Sequence, residues 1–248
     1  MPRFFVKQDQ IFDNSITILG EDAHHISRSL RMAIGDRITV CDMRGNEYDC
    51  AIMSFENDTE VSVEILEKRH SENESPIYIR LFQALPKGDK LETIIQKSVE
   101  CGVAEIIPFE SERCVVRVKQ EAEDRKTERR NKIASEAAKQ CGRSVLPIVQ
   151  KTVSFSEMLL LAKESDEVLF CYEGDGTETL GYIIDKWKEN MPKSVSVVIG
   201  SEGGFSILEV EKALNNGMKL TGLGKRILRT ETASGFVLAC ISYVCELQ

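Results

Sequence analysis

"VVIGSEGGFS", residues 197–206, ends a β-branched run on a glycine, then adds a serine, a glutamate and two more glycines. Extended backwards, SVSVVIG (194–200) reads as a buried parallel strand, apolar and bounded by turn residues. Ser206 with Glu209 three positions on is a capping-box pattern, which predicts that a helix starts there. Strand, glycine turn and helix in that order predict an open α/β sheet, whose ligands bind where the strands end. Gly200, Gly203 and Gly204 free the backbone to take positive φ or to approach a ligand closely. On this motif alone, a tight turn with no ligand explains the pattern equally well.

The same alternation of strand and helix runs back to about residue 77. IYIRLFQAL (77–85), AEIIPF (104–109), LPIVQK (146–151), EVLFCY (167–172) and MKLTGL (218–223) read as strands. Between them lie helical patterns at 89–101, 121–140, 156–162 and 179–189, with a terminal helix that Thr230 or Thr232 is placed to cap. This predicts an α/β domain with a largely parallel sheet over 73–248. Upstream the rhythm differs. SITIL, DRITVCDM, EYDCAIMSF and TEVSVEILEK are short alternating runs broken by turn signals, with one helical piece, EDAHHISRSLRM (21–32). They predict a small β-barrel-like domain over 1–72, joined through the polar stretch HSENESP (70–76).

Composition narrows the classes. The chain has 248 residues, 42% hydrophobic and 29% charged, enough for a full core. Its longest apolar-dominated run, FVLACISYVC (236–245), is too short to span a bilayer, and the N-terminus has no signal-peptide stretch. Eight cysteines without a C-x-x-C pair, and only three histidines, predict free thiols in a reducing cytoplasm and no metal site. The net charge of −8 argues against non-specific coating of nucleic acid. Residues 113–143, however, carry 10 basic against 5 acidic side chains, the first place to look for a polyanion.

A second bare segment, LTGLGKRILRTETASG (220–235), offers backbone groups and aliphatic side chains. No P-loop lysine and no G-x-G-x-x-G dinucleotide pattern occurs anywhere in the chain. Two apolar glycine-rich loops without phosphate chemistry suit a flat heteroaromatic ligand without phosphate, and S-adenosylmethionine meets that description.

IGSEGGFS (199–206) followed by LGKRILRTETA (223–233) resembles the RsmE family of bacterial ribosomal RNA methyltransferases, of the SPOUT superfamily. HHISRSLRMAIGDRI (24–38), QALPKGDKLETIIQKSVECGV (83–103) and EAAKQCGR (136–143) resemble further blocks of the family in the same order, so the resemblance covers nearly the whole chain. It implies methylation of uracil N3 in small-subunit (16S) ribosomal RNA with S-adenosylmethionine as cofactor. It implies a PUA-like N-terminal domain, a trefoil-knotted C-terminal α/β domain and a homodimer whose interface borders the cofactor site. Carried over by position, the cofactor site comprises Ile199, Gly200, Ser201, Glu202, Gly203 and Gly204, then Leu223, Gly224, Ile227, Leu228, Arg229 and Thr230. Phe170, Cys171, Tyr172 and Glu173 line its third side. Ser201 departs from the family, which usually has proline there.

Methyl transfer to uracil N3 needs the imide proton removed or the uracil anion stabilised. Arg229 is the candidate to hold negative charge on the uracil oxygens, and Glu202 the candidate proton acceptor or supporting partner. A salt bridge from Arg229 to Glu231 at the helix entry is the plain alternative. For RNA contacts, Arg28 and Arg31 are spaced to share a helix face, and Arg113 and Arg143 fall in the family blocks. The other cations of the basic segment, Arg117, Lys119, Arg125, Lys126, Arg129, Arg130 and Lys132, read as ordinary solvated surface. Two rival functions stay open on the residues: a non-catalytic RNA-binding ribosome-assembly module, and a nucleotide-dependent oxidoreductase.

Overall fold

The computed structural model describes residues 1–118 and 120–247. They form two compact units, residues 1–74 with 138–146, and residues 75–137 with 147 onward. The expected division at 72/73 did not include this return of 138–146 to the first unit.

The first unit is a five-stranded sheet in the order β1-β3-β4-β5-β2, from β1 (Arg3–Phe5), β2 (Ser15–Leu19), β3 (Arg37–Cys41), β4 (Asn46–Asn57) and β5 (Glu60–His70). Alternation decides its inner face. Ile16 and Ile18 of β2 lie opposite Val63 and Val61 of β5, and all four are buried. Three register shifts along β4 bend the long β4–β5 hairpin around that core. The helical piece is shorter than its pattern: α1 (Glu21–His24) runs into one wider turn, His25–Ser29, and stops. Arg31 then takes a left-handed φ of 51°, so Arg28 and Arg31 do not share a helix face.

The returning segment is held by charge. Glu74 accepts from the Arg143 guanidinium at 2.7 Å and from the backbone N–H groups of Ser144 and Val145 at 2.8 and 3.1 Å.

The second unit is an eight-stranded sheet flanked by helices. In chain order it contains β6 (Tyr78–Ala84), α2 (Lys90–Glu100), β7 (Glu105–Glu110), α3 (Gln120–Cys141, of which 138–141 belong to the first unit), β8 (Ile148–Val149), β9 (Val153–Ser154), α4 (Phe155–Ala162) and β10 (Glu167–Cys171). It continues with β11 (Glu178–Thr179), α5 (Leu180–Asp185), β12 (Ser194–Ile199), α6 (Ile207–Asn215), β13 (Lys219–Gly222) and α7 (Thr230–Glu246). The strand order is β11-β13-β10-β12-β6-β7-β8, with β9 pairing β7, and every pairing is parallel. β12 is laid between β6 and β10, both earlier in the chain, with Val195 to Ile199 all buried.

Val237, Leu238 and Ile241 bury one face of α7, while Phe236 and Tyr243 are exposed. Among the described residues no helix is long and apolar enough to cross a membrane. All eight cysteines are unbridged.

Candidate active site

The glycine turn after β12 is bare because protein side chains fill the space that side chains on the glycines would take. A Cβ on Gly200 would come within 3.2 Å of the Phe205 ring, and one on Gly203 within 3.0 Å of Arg113 Cβ. Gly204 has a φ of +64°, and the Glu173 carboxylate lies where its side chain would project. Gly204 N–H closes the turn onto Ser201 O at 3.0 Å, and Arg113 Nη1 donates to Gly203 O at 3.0 Å. Phe205 anchors it, with its ring centroid 4.4 Å from that of Phe170 and 6.4 Å from that of Phe109. Ser206 then caps α6 as predicted: its Oγ accepts from Glu209 N at 3.3 Å, and Glu209 Oε2 accepts from Ser206 N at 3.0 Å.

The second loop is tied to the first across the sheet. Thr230 Oγ1 donates to Gly200 O at 2.6 Å and accepts from Gln83 Nε2 at 2.9 Å. The cap position of α7 is Arg229, and neither Thr230 nor Thr232 serves there, because the Thr230 hydroxyl is used over long range. Tyr172 N–H donates to Thr221 O at 3.0 Å and holds the third loop alongside.

These loops enclose a cavity of about 420 Å³ at the ends of β10, β12 and β13, within the range of small-molecule sites. Cys171, Tyr172, Glu173, Ile199, Gly200, Ser201, Glu202, Gly204, Leu223, Gly224, Ile227, Leu228, Arg229 and Thr230 all line it. Phe170 does not, being wholly buried against Phe205, and neither does Gly203, which backs onto Arg113. Lys90, Thr177, Phe205, Gly222, Lys225, Arg226 and Ala233 also line the cavity, although the sequence reading did not select them. Phe205, Gly222, Lys225, Arg226 and Ala233 lie within the two bare motifs and Lys90 within the 83–103 block, whereas Thr177 has no local signal.

Electrostatics separates the two candidate catalytic residues. Glu202 is held below the usual carboxylate range: burial pushes it up, but its own backbone N–H, the Lys90 ammonium and Lys87 N–H outweigh that. Lys90 Nζ stands 3.0 Å from Glu202 Oε1, which also accepts from Lys87 N at 3.1 Å. A carboxylate so stabilised is a weak base, so this geometry fits a supporting partner better than a proton acceptor. Arg229 is exposed and, among the described residues, pairs with no carboxylate, Glu231 included. Lys225 and Arg226, earlier in the same loop, are also exposed.

The four candidate RNA contacts fare differently. Arg28 is exposed and pairs with Asp58 at 2.5 Å beside a shallow surface pocket that includes Met32 and Phe55. Arg31 is exposed, and Arg113 is exposed with its stem against Gly203. Arg143 is buried and spent on Glu74, which leaves it no face for a phosphate. Of the remaining basic segment, Arg130 is buried on Glu123 and Arg129 pairs with Glu92, while Lys119 lies outside the described residues. Among the described residues no His, Cys, Asp and Glu side chains cluster to share a metal ion.

Comparison with known proteins gives the class. Residues 73–242 match the RNA methyltransferase domain family and residues 18–66 the RNA methyltransferase PUA domain family. An α/β domain with its cavity at the strand ends, preceded by a PUA-like domain, defines an RNA methyltransferase fold. The chain is 38% identical over 252 residues to ribosomal RNA small subunit methyltransferase E of Bacillus subtilis, covering 100% of this chain and 98% of that protein. It is 31% identical to the protein of the same name from Synechocystis, covering 98% and 78%. A crystal structure of ribosomal RNA small subunit methyltransferase E from Neisseria gonorrhoeae bound to S-adenosylmethionine superposes with a TM-score of 0.85 at 29% identity, covering 98% of each chain. The chain belongs to the ribosomal RNA small subunit methyltransferase E family, the RsmE family.

Proposed function

We propose that this protein transfers the methyl group of S-adenosylmethionine to N3 of a uracil in small-subunit (16S) ribosomal RNA. The observation that carries this reading is one loop with two faces. Leu223, Gly224 and Leu228 line a small-molecule cavity, while Lys225, Arg226 and Arg229 stand exposed at its mouth. Aliphatic and bare backbone walls with three exposed cations on the same loop suit a cofactor inside and a polyanion outside.

The cavity's residues fit the cofactor. Ile199, Leu223 and Leu228 provide aliphatic walls for an adenine ring, and a Cβ on Gly224 would meet nothing within 4 Å, so the backbone there is open to a ligand. S-adenosylmethionine would supply an activated methyl group on a sulfonium. The protein's part is positioning and charge. Arg229 is placed to accept the negative charge that develops on uracil oxygen as the N3 proton leaves. Glu202, kept ionised by Lys90, holds the glycine turn in place rather than taking that proton.

The strand order and the tie between Gly200 and Thr230 support a trefoil knot in the C-terminal domain, and the bent hairpin of the first unit supports a barrel. Residues 1–72 would grip RNA through Arg28 and Arg31, and residues 73–248, with Arg113 beside the glycine turn, would do the chemistry. Exposed Phe236 and Tyr243 on α7 support a homodimer. Free thiols and a ribosomal substrate support action in the cytoplasm.

The test is methyl transfer from radiolabelled S-adenosylmethionine to small subunits lacking the modification, with the product mapped to a base. Label at uracil N3 is expected. Label on another base, or none with cofactor binding intact, would sink the assignment.

A further inference from the structure

The first unit has a recess of its own, about 360 Å³ and open to solvent. Ser27 and Arg28 reach it from the wide turn after α1, Met32 from the loop before β3, and Phe55, Asn57 and Asp58 from the end of the β4–β5 hairpin. The backbone is irregular on both sides. Leu30 N–H bonds back to His25 O at 2.9 Å, five positions away, and Arg31 takes its left-handed φ of 51°. Register shifts in β4 fall between Ile52 and Ser54 and between Phe55 and Asn57, one on each side of Phe55. Wide turns, left-handed non-glycine residues and bulges re-aim side chains at a cost, and they gather at functional sites. Met32 and Phe55 pack against the core and still line the recess, so their places are set before any ligand arrives.

We propose that this recess takes one unpaired nucleobase of the RNA, laid against Phe55 and Met32, with a neighbouring phosphate on Arg28. The proposal deepens the reading of the protein as a ribosomal RNA methyltransferase and rests on it; all six residues lie within 18–66, matched to the RNA methyltransferase PUA domain family. An aromatic ring and a thioether beside a guanidinium suit a flat base on an anionic strand. Arg28 is held by Asp58 at 2.5 Å, with both side chains more than half exposed. An exposed ion pair of this kind is weak, so a phosphate oxygen can take the place of Asp58 on Arg28. Asp58 is then free to accept from the edge of the base. Asn57 Oδ1 accepts from Thr59 N and Oγ1 at 2.8 and 2.7 Å, which leaves the Asn57 amide N–H groups as donors to the same edge.

The experiment measures affinity for unmodified small subunits over a series of salt concentrations, for the parent, Phe55→Leu and Arg28→Gln. Leucine keeps an apolar side chain on the core and removes the ring. Phe55→Leu is expected to weaken binding about tenfold with the salt slope unchanged, as loss of a stacked base does. Arg28→Gln should lower the slope of log affinity against log salt by about one, as loss of one phosphate contact does. An unfolded first unit would forfeit its phosphate contacts as well, so a Phe55→Leu whose slope falls with its affinity overturns the proposal. So does parental affinity in Phe55→Leu, or a parental slope in Arg28→Gln. The tenfold loss should recur with 16S ribosomal RNA stripped of its proteins, at low salt. A loss seen only with whole subunits, or a parent that binds only whole subunits, assigns the recess to a ribosomal protein and overturns the nucleobase. Methyl transfer by the parent tests the proposed function separately: intact N3 methylation with parental binding in both variants sinks the recess alone.

Discussion

Gly204 shows how much one residue can hold together. It combines left-handed backbone, the hydrogen bond that closes the turn, and contact with the Glu173 carboxylate on the cavity wall. Gly204→Ala should cost about 1–2 kcal/mol for the strained φ alone. It should also weaken S-adenosylmethionine binding, because Glu173 has to move. Urea denaturation and calorimetric titration read the two effects, and an alanine variant as stable and as tight as the parent would contradict both. Thr230 shows the limit of local reading. Beside a helix start its hydroxyl reads as a cap, yet the hydroxyl serves Gly200, thirty positions earlier.

Among the elements, the start of α6 does more than begin a helix. Glu209 is buried and completes the capping box, and it also accepts from Ser111 Oγ at 3.0 Å and Glu112 N at 2.8 Å in the loop after β7. A cap alone is worth about 1 kcal/mol. Glu209→Ala strands these further donors, so the expected loss is about 2–3 kcal/mol. A measured loss near 1 kcal/mol in chemical denaturation would mean the loop tie contributes nothing. The capping box was legible because its partners lie three residues apart, whereas the Ser111 and Glu112 contacts were not, at nearly a hundred residues' distance. The long, periodic elements were legible for the same reason. The two- and three-residue strands β1, β9 and β11 were not, since they are too short to show a period. Two of the loops that line the cavity were legible by their bareness and the third, at Tyr172 and Glu173, only through the family resemblance, while Thr177 and the burial of Arg143 depend on tertiary partners that no local pattern encodes.

At the scale of the whole molecule, each unit contains a buried carboxylate held in its ionised form. In the first unit burial pushes Glu47 up, but hydrogen bonds from Arg3 and Ser71 and the charge of Arg3 leave it below its ordinary 4.5. In the second, burial of Glu123 is outweighed by hydrogen bonds from Thr152 and the charge of Arg130, with the same result. A carboxylate depressed in the folded state adds stability that is complete above its unfolded value and is lost as pH falls through the folded one. Both units should therefore lose stability together as pH drops below 4.5. Thermal melts followed from neutral pH to about 3 check this, and a flat melting temperature across that acid range would contradict it.

The place of β12 in the sheet also bears on synthesis. It pairs with β6 from Ser194↔Tyr78 to Ile199↔Gln83, and with β10 on its other side. A growing chain that has emerged only as far as β10 holds the β6-β7-β8 part of the sheet and a β10 with no paired neighbour, and such long-range pairing is slow to form. The cavity's walls at Gly200, Leu223 and Arg229 come later still. The nascent protein is thus unable to enclose this cavity until the segment through Ala233 has emerged from the ribosome, so the pocket forms late in synthesis.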